Sequence, residues 1–270
     1  MSLNNPRIEI ATAYPNLKKI SLGKGKGVTL FGDIHTDQGA KLAYVKLLSL
    51  EGIAREAICS VLGRLLHLPV RQGYFVSMVN TQFHSQTGNV ESLAFGTLYD
   101  FTRLFRLTEL SGFEMELLKW PDLLKSAVFD EWIANGDRLP NNMAFERGNL
   151  FWLFDHDEAF PGHISKGTPV GSQLLALFAR DKAEIELHRI RNQALEIVKS
   201  YEQIEWDGVY NYVRAKEFKI LEKYFLKQIS FLKNRVAEMR NILTQDLGIK
   251  QIDFFSSDIQ KNLKNQNHEN

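Results

Sequence analysis

The chain has 270 residues, enough for one large domain or two lobes with a buried core. Its formal net charge of +1 gives it no overall pull toward nucleic acid or an anionic membrane. Cys59 is the single cysteine, which excludes an intrachain disulfide framework and a zinc site built from cysteines, and which fits a reducing compartment.

Met1–Arg7 is polar and lacks the basic-then-apolar layout of a signal peptide. No apolar run reaches the roughly 18 residues that cross a bilayer, so a cytoplasmic protein is expected. The first 50 residues read as β-structure. Gly23, Gly25 and Gly27, spaced by lysines, form a turn that leads into an extended Val28–Phe31. A polar turn at Asp37–Gly39 precedes a strand over Leu42–Leu48. Its alternation puts Ala43, Val45 and Leu47 on one face and Tyr44, Lys46 and Leu48 on the other. Residues 51 to 67 switch to helical period, with Ile53, Ala57, Ile58, Val61, Leu62 and Leu65 as the apolar stripe and Pro69 as the stop. Tyr74–Val79 reads as a strand, Thr81–Glu91 as a loop, and Leu93–Leu98 as a short extended segment. From Leu117 onward the pattern is mostly helical. It is interrupted by a turn-rich Asn135–Asn142, a strand-like Asn149–Phe154 and a loop over Gly162–Gly171. Two or three helices are expected between 173 and about 245, broken near Trp206–Gly208, before a polar tail at 260–270.

The chemistry concentrates between Asp130 and Asp157. Four residues separate Asp137 from Asn142, and Asp155 follows Asp137 by 18 positions at the end of an apolar run. A Gly148-Asn149 turn between two apolar stretches makes the intervening chain a hairpin, which returns the distant carboxylate to the first. Phosphoryl transfer from ATP needs such a set: one carboxylate for the proton of the attacking hydroxyl, and hard oxygen donors for Mg²⁺. On this reading Asp137 is the base, and Asn142 and Asp155 are the metal ligands. The plain alternative is that Asp137, Arg138 and Asn142 only make a turn.

Upstream, Lys46 interrupts an apolar strand and Glu56 lies ten residues later on the next helix. A strand lysine aimed at phosphates and steadied by a helix glutamate is a requirement of the same chemistry. Otherwise Lys46 is an edge-strand lysine and Glu56 a solvated helix residue. Gly23, Gly25 and Gly27 let the backbone close over phosphates, or form a flexible turn; their spacing is not that of a Walker A loop.

Tyr44 to Leu48, then Arg55-Glu56-Ala57, then Leu62 to Val70 resemble the small lobe of HipA-like kinases. There a V-K strand precedes an N-E helix ending in L-G-L-P-V. Asn135 to Asn142 is similar to that family's N-x-D-R-H-x-x-N loop and to the corresponding loop of phosphatidylinositol kinases. The resemblance covers roughly residues 20 to 160. It implies a two-lobed, protein-kinase-like α+β fold with a small β-rich N-lobe (1–98), a larger helical C-lobe (99–259) and a polar tail (260–270). It further implies ATP and Mg²⁺ as cofactors, with Lys46 and Glu56 binding ATP, Asp137 catalytic, and Asn142 and Asp155 on the metal. The acceptor would be a serine or threonine of a protein. A nucleotide-binding pseudokinase serving as an interaction module, or a small-molecule or lipid kinase of the same fold, are the alternatives. Leu139 stands where the family loop has histidine, and Asp155-His156-Asp157 stands where an Asp-Phe-Gly triplet is usual. The second departure leaves Asp155 and Asp157 both open as the metal ligand, with spacing favouring Asp155.

Other signals have simpler readings. His156-Asp157 with His35 or His163 raises a metal-dependent phosphohydrolase, but such pairs sit on helices. Lys216, Lys219, Lys223 and Lys227 form a basic stripe opposite Phe218, Leu221, Phe225, Ile229 and Leu232, as a solvated face opposes a core face. Leu93–Leu98 falls where an interlobe hinge would contact adenine through its backbone.

Overall fold

The computed structural model describes residues 5–20, 28–79, 81–87, 91–99, 105–106, 112–136, 138, 142–146 and 150–249. Its first half is built on β1 (Glu9–Ala13), β2 (Lys18–Ile20), β3 (Val28–Thr36), β4 (Gly39–Leu47), β5 (Gly73–Ser77) and β6 (Leu93–Leu98). These pair in the order β1-β5-β6-β4-β3-β2. β1 runs parallel to β5 and also meets β3 at Thr12–His35 and Ala13–Ile34, so five strands close on themselves. Closure gives the alternating side chains an inside and an outside. Leu30, Ile34, Ala43, Val45, Leu47, Tyr74, Val76 and Ala94 fill the interior together with Ala11, Ala13 and Leu17. Tyr44 and Lys46 alternate with the interior residues of β4 and therefore face outward.

Helix α1 (Leu50–Leu65) packs on that outer face. Ser49 caps it by accepting the Gly52 N–H at 3.1 Å, and Glu51 sits in the first turn, where the helix dipole favours a negative charge. The helix ends at the Leu66 cap, and His67 in the left-handed region (φ 54°) turns the chain before Pro69. Gly63 allows the returning chain to lie against the helix, because a Cβ there would stand 2.5 Å from Val70 Cγ2. The buried residues of α1 and of the sheet's outer face, Phe75 and Phe95 among them, are continuous with those of the helical half, while the interior of the closed sheet is a second cluster.

Beyond β6 come β7 (Phe105–Arg106), α2 (Phe113–Leu118), α3 (Leu123–Trp132), β8 (Met143–Glu146) and β9 (Leu150–Leu153). The last elements are α4 (Gln173–Ala179), α5 (Glu184–Glu202), α6 (Trp206–Tyr212) and α7 (Lys219–Asp246). β7, β8 and β9 form a second, antiparallel sheet. α3 is the central helix. Trp132 stacks on Tyr201 of α5 with centroids 4.4 Å apart, and its indole N–H donates to the Leu232 carbonyl of α7 at 3.2 Å.

The chain is therefore mixed α+β, β-rich first and helical afterwards. Two expectations need correction. Residues 173–246 form four helices instead of two or three, and Trp206–Gly208 opens α6 rather than breaking a helix. The breaks fall at residues 180–183, 203–205 and 213–218, which hold no proline or glycine to announce them. Leu93–Leu98 is also no free hinge. It is a central strand whose residues 95–97 are paired with β4 on one side and β5 on the other, so the peptide groups of its middle are already engaged. The basic stripe lies as expected: Lys216, Lys219, Lys223 and Lys227 are exposed, while Leu221, Phe225, Ile229 and Leu232 are buried. No described helix is long and apolar enough to cross a membrane. The 260–270 tail lies outside the described residues.

Candidate active site

β4 lies between β3 and β6, so Lys46 projects from an interior strand, not an edge. Its register partners are Thr29 on one side and Phe95 on the other. The ammonium donates to Glu56 of α1 and, at 2.5 Å, to Oδ1 of Asp155. Glu56 is buried, which removes the reading of a solvated helix residue. Burial alone would lower the lysine's pKa, but Glu56, Asp155 and Asp157 outweigh it and hold the ammonium above its ordinary range. Burial likewise pushes the Glu56 carboxyl up. Lys46, with help from His156, overrides that push and keeps Glu56 ionised well below the usual carboxylate range.

The local fold explains how a carboxylate 109 positions away reaches this lysine. The segment after α1 pairs with the end of β9: Val70 and Leu153 form a parallel bridge, and the Leu153 N–H donates to the Pro69 carbonyl at 2.9 Å. β9 thus ends beside α1. Asp155 then takes a left-handed backbone (φ 63°), an uncommon choice for a residue with a side chain, which costs about 1–3 kcal/mol and gathers at functional sites. Asp157 follows two positions on. Its carboxyl is pushed up to about 7, by burial first and then by the hydrogen bond and charge of Asp155 and the charge of Glu56, against the pull of Lys46. Carboxylate oxygens of Glu56, Asp155 and Asp157 lie within 4.8 Å of one another. Arg55 donates to the Asp157 carbonyl at 2.8 Å and so anchors the loop to α1.

Asn142 is buried just before β8. Its carbonyl accepts the Phe154 N–H at 3.2 Å, which sets it opposite the residue preceding Asp155. Lys46, Glu56 and Asp155 are thus in direct contact, with Asn142 on the adjoining hairpin. Asp137, Gly23, Gly25 and Gly27 lie outside the described residues, as does Leu139.

Three side chains at this place, Asp130, Arg138 and His156, have a part here that the sequence does not assign them: Arg138 reads there as a turn or loop residue, and His156 as half of a phosphohydrolase pair or the middle of a triplet. Arg138 is wholly buried and donates from Nε and Nη2 to the buried Asp130 carboxylate of α3, at 2.9–3.3 Å. Its Nη1 donates to the carbonyls of Asn142 (3.2 Å) and Phe154 (2.7 Å). His156 is also buried, with Nδ1 3.5 Å from Glu56 and its ring edge-on to Phe129. Burial, then Arg138, lowers its pKa despite Glu56. Buried charges look like ordinary polar residues in a sequence; the signals there are the arginine directly after Asp137 and the histidine between Asp155 and Asp157. On the Lys46 side of the sheet, Phe31, Tyr44 and Tyr99 form a half-buried aromatic trio with centroids 5.2–5.3 Å apart.

For the phosphohydrolase reading, His156 touches Glu56 but is buried and stands outside the group with metal-ligand spacing, and neither suggested partner histidine joins it. His35 lies on β3 against Tyr14, His163 is exposed, and among the described residues the group with metal-ligand spacing is the three carboxylates.

A strand lysine bridged to a helix glutamate and to a carboxylate past a hairpin is the arrangement that phosphoryl transfer calls for. Compared with known protein families, residues 39–197 match HipA-like kinases, and that span is more than half of the chain. The chain belongs to the HipA-like kinase family, which carries a kinase-like fold and phosphotransferase chemistry with it. No curated protein matches the chain.

Proposed function

We propose that the protein is an ATP- and Mg²⁺-dependent kinase that phosphorylates serine or threonine of a protein. The observation that carries this reading is the joint hold of Glu56 and Asp155 on Lys46, which pre-places one ammonium beside an acidic cluster. The donors suit the metal, since Asp155, Asp157 and the Asn142 amide offer the hard oxygens that Mg²⁺ prefers. Asp155 and Asn142 would hold it, and when bound it supplies positive charge against the phosphate oxygens of ATP.

The remaining roles belong to the chain. Lys46 donates to phosphate oxygens, while Glu56 fixes its direction from the buried side. The aromatic trio of Phe31, Tyr44 and Tyr99 offers the base an apolar flank on the same face of the sheet. Asp137 accepts the proton of the acceptor hydroxyl as its oxygen bonds to the γ-phosphorus and ADP departs.

The test is transfer of label from γ-labelled ATP to the protein itself or to proteins of a lysate, for wild type and Asp137→Asn. Wild type labels an acceptor, and the variant binds ATP without transfer, since an interaction made mainly in the transition state affects kcat. Tight ATP binding with no transfer by wild type would leave an interaction module in place of an enzyme.

A further inference from the structure

The buried Asp130–Arg138 pair has a cost that the fold alone does not require. Both side chains are fully buried. Replacing such a pair by apolar residues of similar size is often neutral or stabilising, so its presence is weak evidence of a stabilising role. Where its remaining donors go is more informative. One end of the guanidinium fork grips Asp130, which also sits beside the Asn135 amide and whose own carbonyl accepts the Asn135 N–H. The other end reaches two carbonyls that flank the open end of the β8–β9 hairpin: that of Asn142, just before β8, and that of Phe154, just after β9 and one residue before Asp155. A planar guanidinium holds several partners at fixed angles, which the single ammonium of a lysine does not.

We infer that Arg138, set by Asp130, is a positioning residue that fixes Asn142 and Asp155 relative to one another through their backbone. This rests on the reading of those two residues as metal ligands. It assigns the pair a consequence that general stabilisation lacks: its loss weakens the Mg²⁺-dependent part of nucleotide binding and spares the part made by Lys46.

The experiment compares binding of a non-hydrolysable ATP analogue with and without MgCl₂ for wild type, Arg138→Lys and the charge-free double variant Asp130→Leu/Arg138→Met, alongside their melting curves. Wild type gains affinity with Mg²⁺. Both variants lose at least about tenfold of that gain, equivalent to 1.4 kcal/mol, while Mg²⁺-free affinity stays within about twofold and the double variant melts close to wild type. Retention of the full Mg²⁺ gain by the folded double variant overturns the positioning role alone. Loss of folding by both variants assigns the pair to stability and overturns it too. A wild type with no Mg²⁺ gain overturns the metal reading along with it.

Discussion

Asp157→Asn should stabilise the protein at pH 8 and flatten its pH dependence. The wild-type carboxyl titrates near 7 when folded and near about 3.9 when unfolded. Between those values the folded chain binds the extra proton, so stability falls as pH rises from about 4 to about 7 and is level above that. The interval corresponds to a ceiling of about 4 kcal/mol at about 1.4 kcal/mol per pH unit. Asp157 is only half-buried, and solvent screening reduces the ceiling to about 1–2 kcal/mol. Asparagine keeps a donor toward Asp155 and has no proton to lose. For a chain of this size the variant should melt about 2–4 °C higher than wild type at pH 8, with the gap closing toward pH 4. Thermal unfolding of both proteins between pH 4 and 8 measures this. The comparison must be a difference, because Glu131, also pushed up to about 7 by burial and Asp246, slopes both curves the same way. Parallel curves, or a gap that widens toward acid, would refute the reasoning.

Lys46→Met leaves Glu56 and Asp155 without their shared cation. It should cost about 3 kcal/mol, the lower end for a broken buried pair because Asp155 is partly solvated, and weaken ATP binding at least about tenfold by calorimetry. Unchanged affinity in a folded variant removes Lys46 from the site. Gly63→Ala sets a methyl 2.5 Å from Val70; overpacking of about 1–3 kcal/mol outweighs the helix-propensity gain of about 1 kcal/mol, so the melting temperature drops. Adding Val70→Ala should cost less than the two single changes summed, and simple additivity would show that the two do not meet.

Much of this site was legible in the sequence because its first members sit in regular elements. Alternation along β4 alone sends Lys46 to the face opposite Ala43, Val45 and Leu47, and the apolar period of α1 fixed the helix that carries Glu56. The hairpin before Asp155 was likewise announced by Gly148-Asn149 between apolar runs. What stayed hidden depends on contacts between distant parts. Strand closure through β1 and β3, the bridge from Val70 to Leu153, and the reach of Arg138 to Asn142 and Phe154 leave no local periodicity. Leu93–Leu98 is the extended segment its apolar run suggests, but such a run does not reveal whether its backbone is paired on both sides, which is what the hinge placement turns on. The open choice between Asp155 and Asp157 also resolves in space only in part. Asp155 meets Lys46 directly, yet both carboxylates belong to the acidic cluster.

The central claim, that Lys46, Asn142 and Asp155 form a nucleotide and metal site, is tested most directly by calorimetric titration of ATP with and without Mg²⁺ into wild type, Asp155→Asn, Asp157→Asn and Asn142→Ala. The account predicts Mg²⁺-enhanced binding by wild type that Asp155→Asn loses and Asn142→Ala largely loses. Loss in Asp157→Asn with retention in Asp155→Asn would move the ligand to Asp157, and Mg²⁺ dependence unchanged in all three variants would contradict the account.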